Sequence, residues 1–200
     1  MCSVKVDQNF HMNKDPRYRR RRSIRLKEFD YSASGAYFVT IVTQDRSCLF
    51  GEIFDGRMQP NSAGKAIQRW WLGLVTKFPT VETDEFVVMP NHIHAIVRIT
   101  DTIVGADPRV GPAGAHPGAP LPKIMQWFKT MTTNEYMRGV KELGWPTFRG
   151  QLWQRSYFEH VIRDADSLAR IRQYIVENPL RWEFDRENPA VIVGQSDAAH

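Results

Sequence analysis

Short stretches rich in β-branched and aromatic residues, some with apolar and polar positions in alternation, predict four β-strands. They are "GAYFVTIVTQ" at 35–44, "VETDEFVVM" at 81–89, "HIHAIVRIT" at 92–100 and "LWQRSYFEHVIR" at 152–163. Very few residues join the second strand to the third. We therefore expect these two strands to be antiparallel neighbours.

Apolar residues at helical spacing predict three helices, at about 61–78, 123–143 and 165–178. Pro179 forces the third helix to stop near Asn178. The order strand, helix, strand, strand, helix, strand indicates an α+β fold of the ferredoxin-like arrangement, an antiparallel sheet with two helices on one face. The third helix is a C-terminal addition to that arrangement.

The composition divides the chain into three parts. Residues 1–28 form a polar and then basic extension, 29–188 form the folded domain, and 189–200 form a tail. Within the domain, Gly and Pro dominate about 101–122, which predicts a mobile loop. Neither an apolar run long enough for a membrane span nor a secretory leader is visible, so we expect a cytoplasmic protein.

The excess of positive charge lies in one short basic arm, "RYRRRRSIRLK" at 17–27, with seven basic residues and no acidic one. The rest of the chain carries 20 basic and 22 acidic residues, so the arm accounts for more than the whole net charge of +5. Such an arm attracts a polyanion, and its tyrosine can stack on a base. The alternative is a solvated tail without a dedicated partner. The candidate DNA contacts are Arg17, Tyr18, Arg19, Arg20, Arg21, Arg22, Arg25 and Lys27.

Two histidines, His92 and His94, interrupt the apolar pattern of the third strand. Side chains alternate across a strand, so both imidazoles point to one face while Ile93, Ala95 and Val97 point to the other. The apolar set is expected to meet the helices, which leaves the histidines on the opposite face. A shared cation explains the pair, and hydrogen-bonded structural histidines explain it equally well.

The third helix carries Tyr174 and Asn178, which are four residues apart and lie on the same helical face. If this helix crosses the open face of the sheet, a phenol and an amide approach the histidine pair together. The ordinary alternatives are a packing role for Tyr174 and a helix C-cap role for Asn178.

Several blocks of sequence resemble the HUH single-tyrosine transposases, and within them the REP-associated tyrosine transposases, which act on repetitive extragenic palindromes. The blocks are "RRSIRLKEFDYSASGAYFVTIVTQDRSCLFGEI", "MPNHIHAIV", "FKTMTT", "LWQRSYFEHVIRD" and "YIVENPLRW". They occur in the order typical of the family and span roughly 21–188.

The resemblance implies that His92, His94 and Asn178 are ligands of a divalent metal, Mg²⁺ or Mn²⁺, and that Tyr174 is the nucleophile. In related single-tyrosine transposases outside this branch, the last ligand is usually a glutamine. Asparagine is shorter by one methylene, so the tyrosine helix must sit closer to the metal or be rotated. His160, in "YFEH", is either a contact to DNA or a core histidine.

The activity implied by the resemblance is a metal-dependent single-stranded DNA endonuclease and strand transferase. It would act on palindromic, REP-like hairpin DNA through a 5′-phosphotyrosine intermediate, as a monomer or a homodimer. One alternative is a regulator of the same fold that binds hairpin DNA without cutting. Another is a metal hydrolase in which Tyr174 only supports attack by water.

Overall fold

The structure, a computed structural model, describes residues 34–100 and 119–191. Its strands are β1 (Gly35–Val42), β2 (Gly51–Phe54), β3 (Arg57–Pro60), β4 (Val81–Val88), β5 (His92–Ile99) and β6 (Phe158–Ile162). Its helices are α1 (Ser62–Leu72), α2 (Leu74–Lys77), α3 (Leu121–Leu143) and α4 (Ala165–Glu177), with 3-10 helices at Gln44–Arg46 and Asn178–Phe184. The predicted basic arm, most of the predicted Gly/Pro loop and most of the predicted tail lie outside the described residues.

Four strands form one antiparallel sheet in the order β4-β5-β1-β6. The tight connection between β4 and β5 makes them neighbours, as the short link predicts. Strand β1 lies between β5 and β6, which is the strand order of the ferredoxin-like arrangement. The predicted α+β fold with an antiparallel sheet is confirmed.

The two faces of the sheet bury different groups. Alternate residues of β1 and β5 pack against α1 and α3 in the main core, and they include Val39, Ile41, Ile93 and Ala95. On the opposite face Phe38, Ile96 and Ile162 pack against Ile171 and Ile175 of α4. Helix α4 therefore covers the face that the two-helix layer leaves open.

The fourth predicted strand is wrong in length, because only Phe158–Ile162 forms β6. Upstream, the chain meets the sheet through a single bridge between Thr43 and Trp153. The indole N–H of Trp153 donates to Thr132 in α3 over 2.9 Å, so its side chain packs in the core while its backbone makes only this isolated bridge. The first predicted helix also breaks at Gly73, which separates α1 from α2.

Asp164 and Asn178 cap the two ends of α4, and Arg172 anchors its middle. The Asp164 carboxylate accepts a hydrogen bond from the Ser167 main-chain N–H over 2.7 Å and caps the first turn. Near the middle, the Arg172 guanidinium donates to both carboxylate oxygens of Asp84 over 2.7 and 2.6 Å. Asn178 is the C-cap of α4, and the chain continues as the 3-10 helix Asn178–Phe184.

No helix within 34–100 or 119–191 is both long and apolar enough to cross a membrane.

A candidate metal centre beside a tyrosine

The two histidines of β5 lie side by side in the protein interior. His92 is fully buried and His94 is 3% exposed, with ring centroids 4.4 Å apart. Their β1 partners, Val42 and Thr40, alternate with the core residues Ile41 and Val39. Both imidazoles thus lie on the face opposite α1 and α3, as the period of two predicts.

Each histidine uses its Nδ1 atom in a hydrogen bond with a neutral group. His92 Nδ1 lies 2.8 Å from Asn91 Oδ1, and His94 Nδ1 lies 2.8 Å from Thr40 Oγ1. Burial lowers the pKa of His92 well below 6.5 and also lowers the pKa of His94. Both imidazoles are therefore neutral at physiological pH, and their Nε2 atoms face the space below α4.

Helix α4 brings Tyr174 to this pair. The phenol oxygen lies 3.2 Å from His94 Nε2, and the ring packs edge-on against Phe38 at 6.0 Å. Burial raises the pKa of the Tyr174 hydroxyl to about 12, with a further contribution from the negative charge of Asp185. The residue as a whole is nevertheless 40% exposed, so Tyr174 lies at the edge of the cluster and not in the closed core.

Asn178 lies one helical turn beyond Tyr174 and is 2% exposed. Its Nδ2 donates to Asp185 Oδ2 over 3.2 Å, while its buried Oδ1 has no hydrogen-bond partner among the described residues. The structure thus places both predicted residues of α4 beside the histidines. Asn178 is at once the C-cap of the helix and a member of the cluster.

The sequence reasoning missed Asp185. One of its carboxylate oxygens lies 3.8 Å from His92 Nε2 and 4.0 Å from His94 Nε2. The 3-10 helix carries the chain back to the histidines and places this residue next to Asn178. The same stretch also contains Glu183, Arg186 and Glu187, so composition alone does not single out Asp185.

The cluster has the chemistry of a cation site. Candidate ligand atoms of His92, His94 and Asp185 all lie within 4.8 Å of one another, and all three residues are buried. His92 Nε2 and Asn178 Oδ1 are buried and unpaired within the described part of the chain. Unpaired acceptors around a carboxylate oxygen are costly to bury unless a proton or a cation lies between them. Nitrogen and oxygen ligands of this kind suit a divalent ion.

Of the remaining predicted site residues, His160 is the one that lies within the described part of the chain. His160 pairs with Phe38 in the sheet and is half-buried on the face that carries His94. The basic arm at 17–27 lies outside the described residues. A cavity of about 590 Å³ lies between α3 and the segment 150–157, and its lining includes Lys129, Trp153 and Arg155. None of its lining residues belongs to the cluster.

Comparison with known proteins identifies a family whose model matches part of this chain. Residues 113–178 match the family model of IS200-like transposases. The match includes Tyr174 and Asn178 and ends before Asp185; His92 and His94 precede it.

Two relatives come from Haemophilus influenzae. An uncharacterized protein is 36% identical over 177 residues, which cover 83% of this chain and 92% of the relative. A protein provisionally described as a REP-associated tyrosine transposase is 28% identical over 155 residues, which cover 78% of this chain and 76% of the relative. A solved structure of a REP-associated tyrosine transposase bound to a REP hairpin aligns with a TM-score of 0.48 and 18% identity. That alignment covers 74% of this chain and 67% of the other.

Proposed function

This chain belongs to the REP-associated tyrosine transposases within the IS200-like single-tyrosine family, and we propose that it cuts and rejoins single-stranded DNA at palindromic hairpins with the aid of a divalent metal. The family makes it a DNA-processing enzyme. One observation carries the finer proposal: the Tyr174 phenol oxygen lies 3.2 Å from His94 Nε2, inside a buried cluster of metal-ligating groups.

His92, His94 and Asp185 are the residues proposed to hold the metal, together with the Asn178 Oδ1 atom that lacks a partner among the described residues. A bound Mg²⁺ or Mn²⁺ would polarise the scissile phosphodiester and offset the negative charge that develops on it. Asp185 supplies the one negative charge among these groups. Hard divalent ions favour such an oxygen ligand, which supports Mg²⁺ or Mn²⁺ in this site.

In the proposed reaction, Tyr174 Oη attacks the phosphorus of a phosphodiester. The new Oη–P bond forms as the bond from phosphorus to the 3′ oxygen breaks. The phenol loses its proton and the 3′ oxygen leaves as a hydroxyl, so protons and charge balance. Because a phosphodiester replaces a phosphodiester, a second 3′-hydroxyl can reverse the step and join two strands without a nucleotide cofactor.

The ordinary state of Tyr174 is unreactive. With a pKa of about 12, only about one phenol in a hundred thousand is ionised at neutral pH. Burial is the main cause of this high pKa and the charge of Asp185 adds to it. A cation beside Asp185 would offset the second contribution, and fixed geometry at the phosphate would do the rest of the activation.

The substrate proposal rests on the family, whose name refers to REP sequences. We propose that the basic arm at 17–27 contacts phosphates near the stem of the hairpin, since cations in an arm gain affinity by releasing counterions. His160 lies on the same sheet face as His94 and is a second proposed contact. The cluster is assembled within one chain, which supports a monomer as the catalytic unit.

Incubation of the protein with Mn²⁺ and a labelled hairpin oligonucleotide, followed by a denaturing gel, tests the proposal. We expect a covalent protein–DNA adduct that Tyr174→Phe abolishes. The matched control is Tyr136→Phe, because the Tyr136 hydroxyl donates to the Pro146 carbonyl over 3.0 Å in the opposite core. Binding without cutting would indicate a hairpin-binding regulator, and cutting that survives Tyr174→Phe would indicate a hydrolase that uses water.

A further inference from the structure

We propose that Asn91 is a positioning residue, which holds His92 in the neutral tautomer whose Nε2 can bind a metal and ties the chain segment of Asp185 to that histidine. The inference rests on the proposed function only in that the cluster holds a metal ion. It assigns a role to a side chain that is itself fully buried.

The orientation of the Asn91 amide is fixed from one side. Its Nδ2 lies 2.9 Å from the Arg46 carbonyl oxygen and 2.7 Å from the Glu187 carbonyl oxygen. An amide nitrogen has two hydrogens, and here each one has a main-chain acceptor. Reversal of the amide would place its oxygen against two carbonyl oxygens in a buried site, which is strongly unfavourable.

The other end of the amide then sets the tautomer of His92. Asn91 Oδ1 faces His92 Nδ1 at 2.8 Å, and an amide oxygen can only accept a hydrogen bond. His92 Nδ1 must therefore carry the hydrogen. In the neutral ring this leaves the lone pair on Nε2, the buried atom that has no hydrogen-bond partner within the described residues and lies 3.8 Å from Asp185 Oδ2. Hydrogen bonds of this type commonly fix metal-binding histidines in orientation and tautomer.

The same amide joins two distant segments of the chain. Arg46 ends the 3-10 helix at Gln44–Arg46, and Glu187 lies two residues after Asp185. The side chains of Arg46 and Glu187 form an ion pair of 2.9 Å, so the two segments are fastened to each other as well as to Asn91. The Glu187 main-chain N–H donates to Asp185 Oδ1 over 2.7 Å, which carries this restraint to the candidate ligand.

His94 provides a natural comparison inside the same cluster. Its Nδ1 lies 2.8 Å from the Thr40 hydroxyl, which can donate or accept. Thr40 therefore orients the His94 ring but does not by itself choose the tautomer. Asn91 does choose it for His92, and this difference makes the inference testable.

The first test needs no substitution. Long-range ¹H–¹⁵N correlation spectra of the metal-free, full-length protein at mildly alkaline pH report which nitrogen of each neutral histidine carries hydrogen. We expect His92 to be the Nδ1–H tautomer. A His92 that carries its hydrogen on Nε2 would overturn the proposal, whatever the variants do.

The second test compares Asn91→Leu with Asn188→Leu. Asn188 is also a buried asparagine; it donates to the Trp182 carbonyl and accepts from the Ala190 N–H, and within 34–100 and 119–191 it has no hydrogen bond to a histidine. We expect Asn91→Leu to raise the dissociation constant of Mn²⁺, measured by calorimetry, about ten- to a hundredfold. It should also populate the Nε2–H tautomer of His92. Asn188→Leu should leave the tautomer unchanged and the Mn²⁺ affinity within about twofold of the wild type.

Equal Mn²⁺ affinities and an unchanged tautomer in the two variants would show that Asn91 is only a structural turn residue. Neither measurement uses DNA or cleavage. A protein that binds Mn²⁺ as expected but does not cut hairpins would contradict the proposed function while leaving the role of Asn91 intact. If Asn91→Leu does not fold, the wild-type tautomer still decides the question.

Discussion

Burial of the two imidazoles should make the stability of the metal-free protein sensitive to acid. The pKa of His92 lies well below 6.5 and that of His94 is also lowered, in each case mainly because burial disfavours the charged ring. In the unfolded chain, both side chains regain a pKa of about 6.5. Below that pH the unfolded chain binds more protons than the folded one, so the free energy of unfolding falls as the pH falls.

We expect the metal-free protein to lose stability steadily as the pH is lowered from 7 to 5. The two histidines together contribute a slope of up to about 2.7 kcal/mol per pH unit, at about 1.4 kcal/mol for each proton taken up. Urea unfolding at several pH values, in the presence of a chelator, measures this slope. The double variant His92→Gln, His94→Gln should show a much flatter dependence, and an unchanged slope would assign acid sensitivity to other groups.

Residues that follow a local period could be predicted from the sequence, whereas those that depend on the return of the chain could not. The period of two places His92 and His94 on one face, and the spacing of four places Tyr174 and Asn178 together. Asp185 reaches the cluster only after a 3-10 helix whose direction is set by tertiary contacts. Such contacts have no counterpart in the pattern of apolar and polar positions.

At the scale of the element, a bidentate ion pair between Arg172 and Asp84 and a small apolar cluster hold α4 to the sheet. Arg172 donates to both carboxylate oxygens of Asp84. Asp84 lies where the pairing of β4 with β5 shifts register, between Thr83 and Phe86. The irregularity lies in β4, next to the strand that carries the histidines. Because Arg172 precedes Tyr174 by only two residues of the same helix, we expect this contact to help set where the phenol lies.

We expect Arg172→Met to reduce DNA cleavage far more than it reduces stability. The Arg172 side chain is 43% exposed, so solvent screens the pair and its loss should lower the stability only slightly. A small displacement of Tyr174 should nonetheless slow single-turnover cleavage at least about tenfold. Arg138→Met is the matched control, since it breaks an exposed ion pair with Glu135 on α3. Equal cleavage rates in the two variants would show that the Arg172–Asp84 ion pair does not position α4.

The elements themselves were predictable where one force dominates. Strands β1, β4 and β5 follow their β-branched and aromatic content, and α3 begins within two residues of its predicted start. The predicted strand at 152–163 is too long, since Trp153 makes only an isolated bridge to Thr43 and its indole N–H donates to Thr132 of α3. A count of aromatic residues does not distinguish a residue that packs on a helix from one that pairs in a sheet.

At the scale of the whole molecule, the tyrosine and the candidate metal ligands come from a single chain. His92 and His94 lie on β5, Tyr174 lies on α4, and both elements pack in one sheet-and-helix unit. Nothing in the described cluster requires a residue from a second copy. The proposed catalytic unit is therefore one molecule, with α4 on its own sheet.

A mixture of two inactive variants tests this arrangement. Tyr174→Phe lacks the proposed nucleophile and His92→Ala lacks a proposed metal ligand, so each alone should fail to form the covalent adduct. We expect an equimolar mixture of the two to remain inactive, because neither chain holds a complete set. Recovery of adduct formation in the mixture would show that one chain can deliver its α4 tyrosine to the histidines of another.

If one chain supplies the tyrosine and all the metal ligands, this also limits the number of DNA ends that one molecule can hold. If Tyr174 is the nucleophile as proposed, its phenol forms one bond to phosphorus, so each molecule would retain one broken 5′ end at any moment. Excision of a segment bounded by two breaks then requires two successive visits by one molecule or two molecules working side by side. In either case the proposed reaction requires the second end to stay nearby while the first remains attached to the protein.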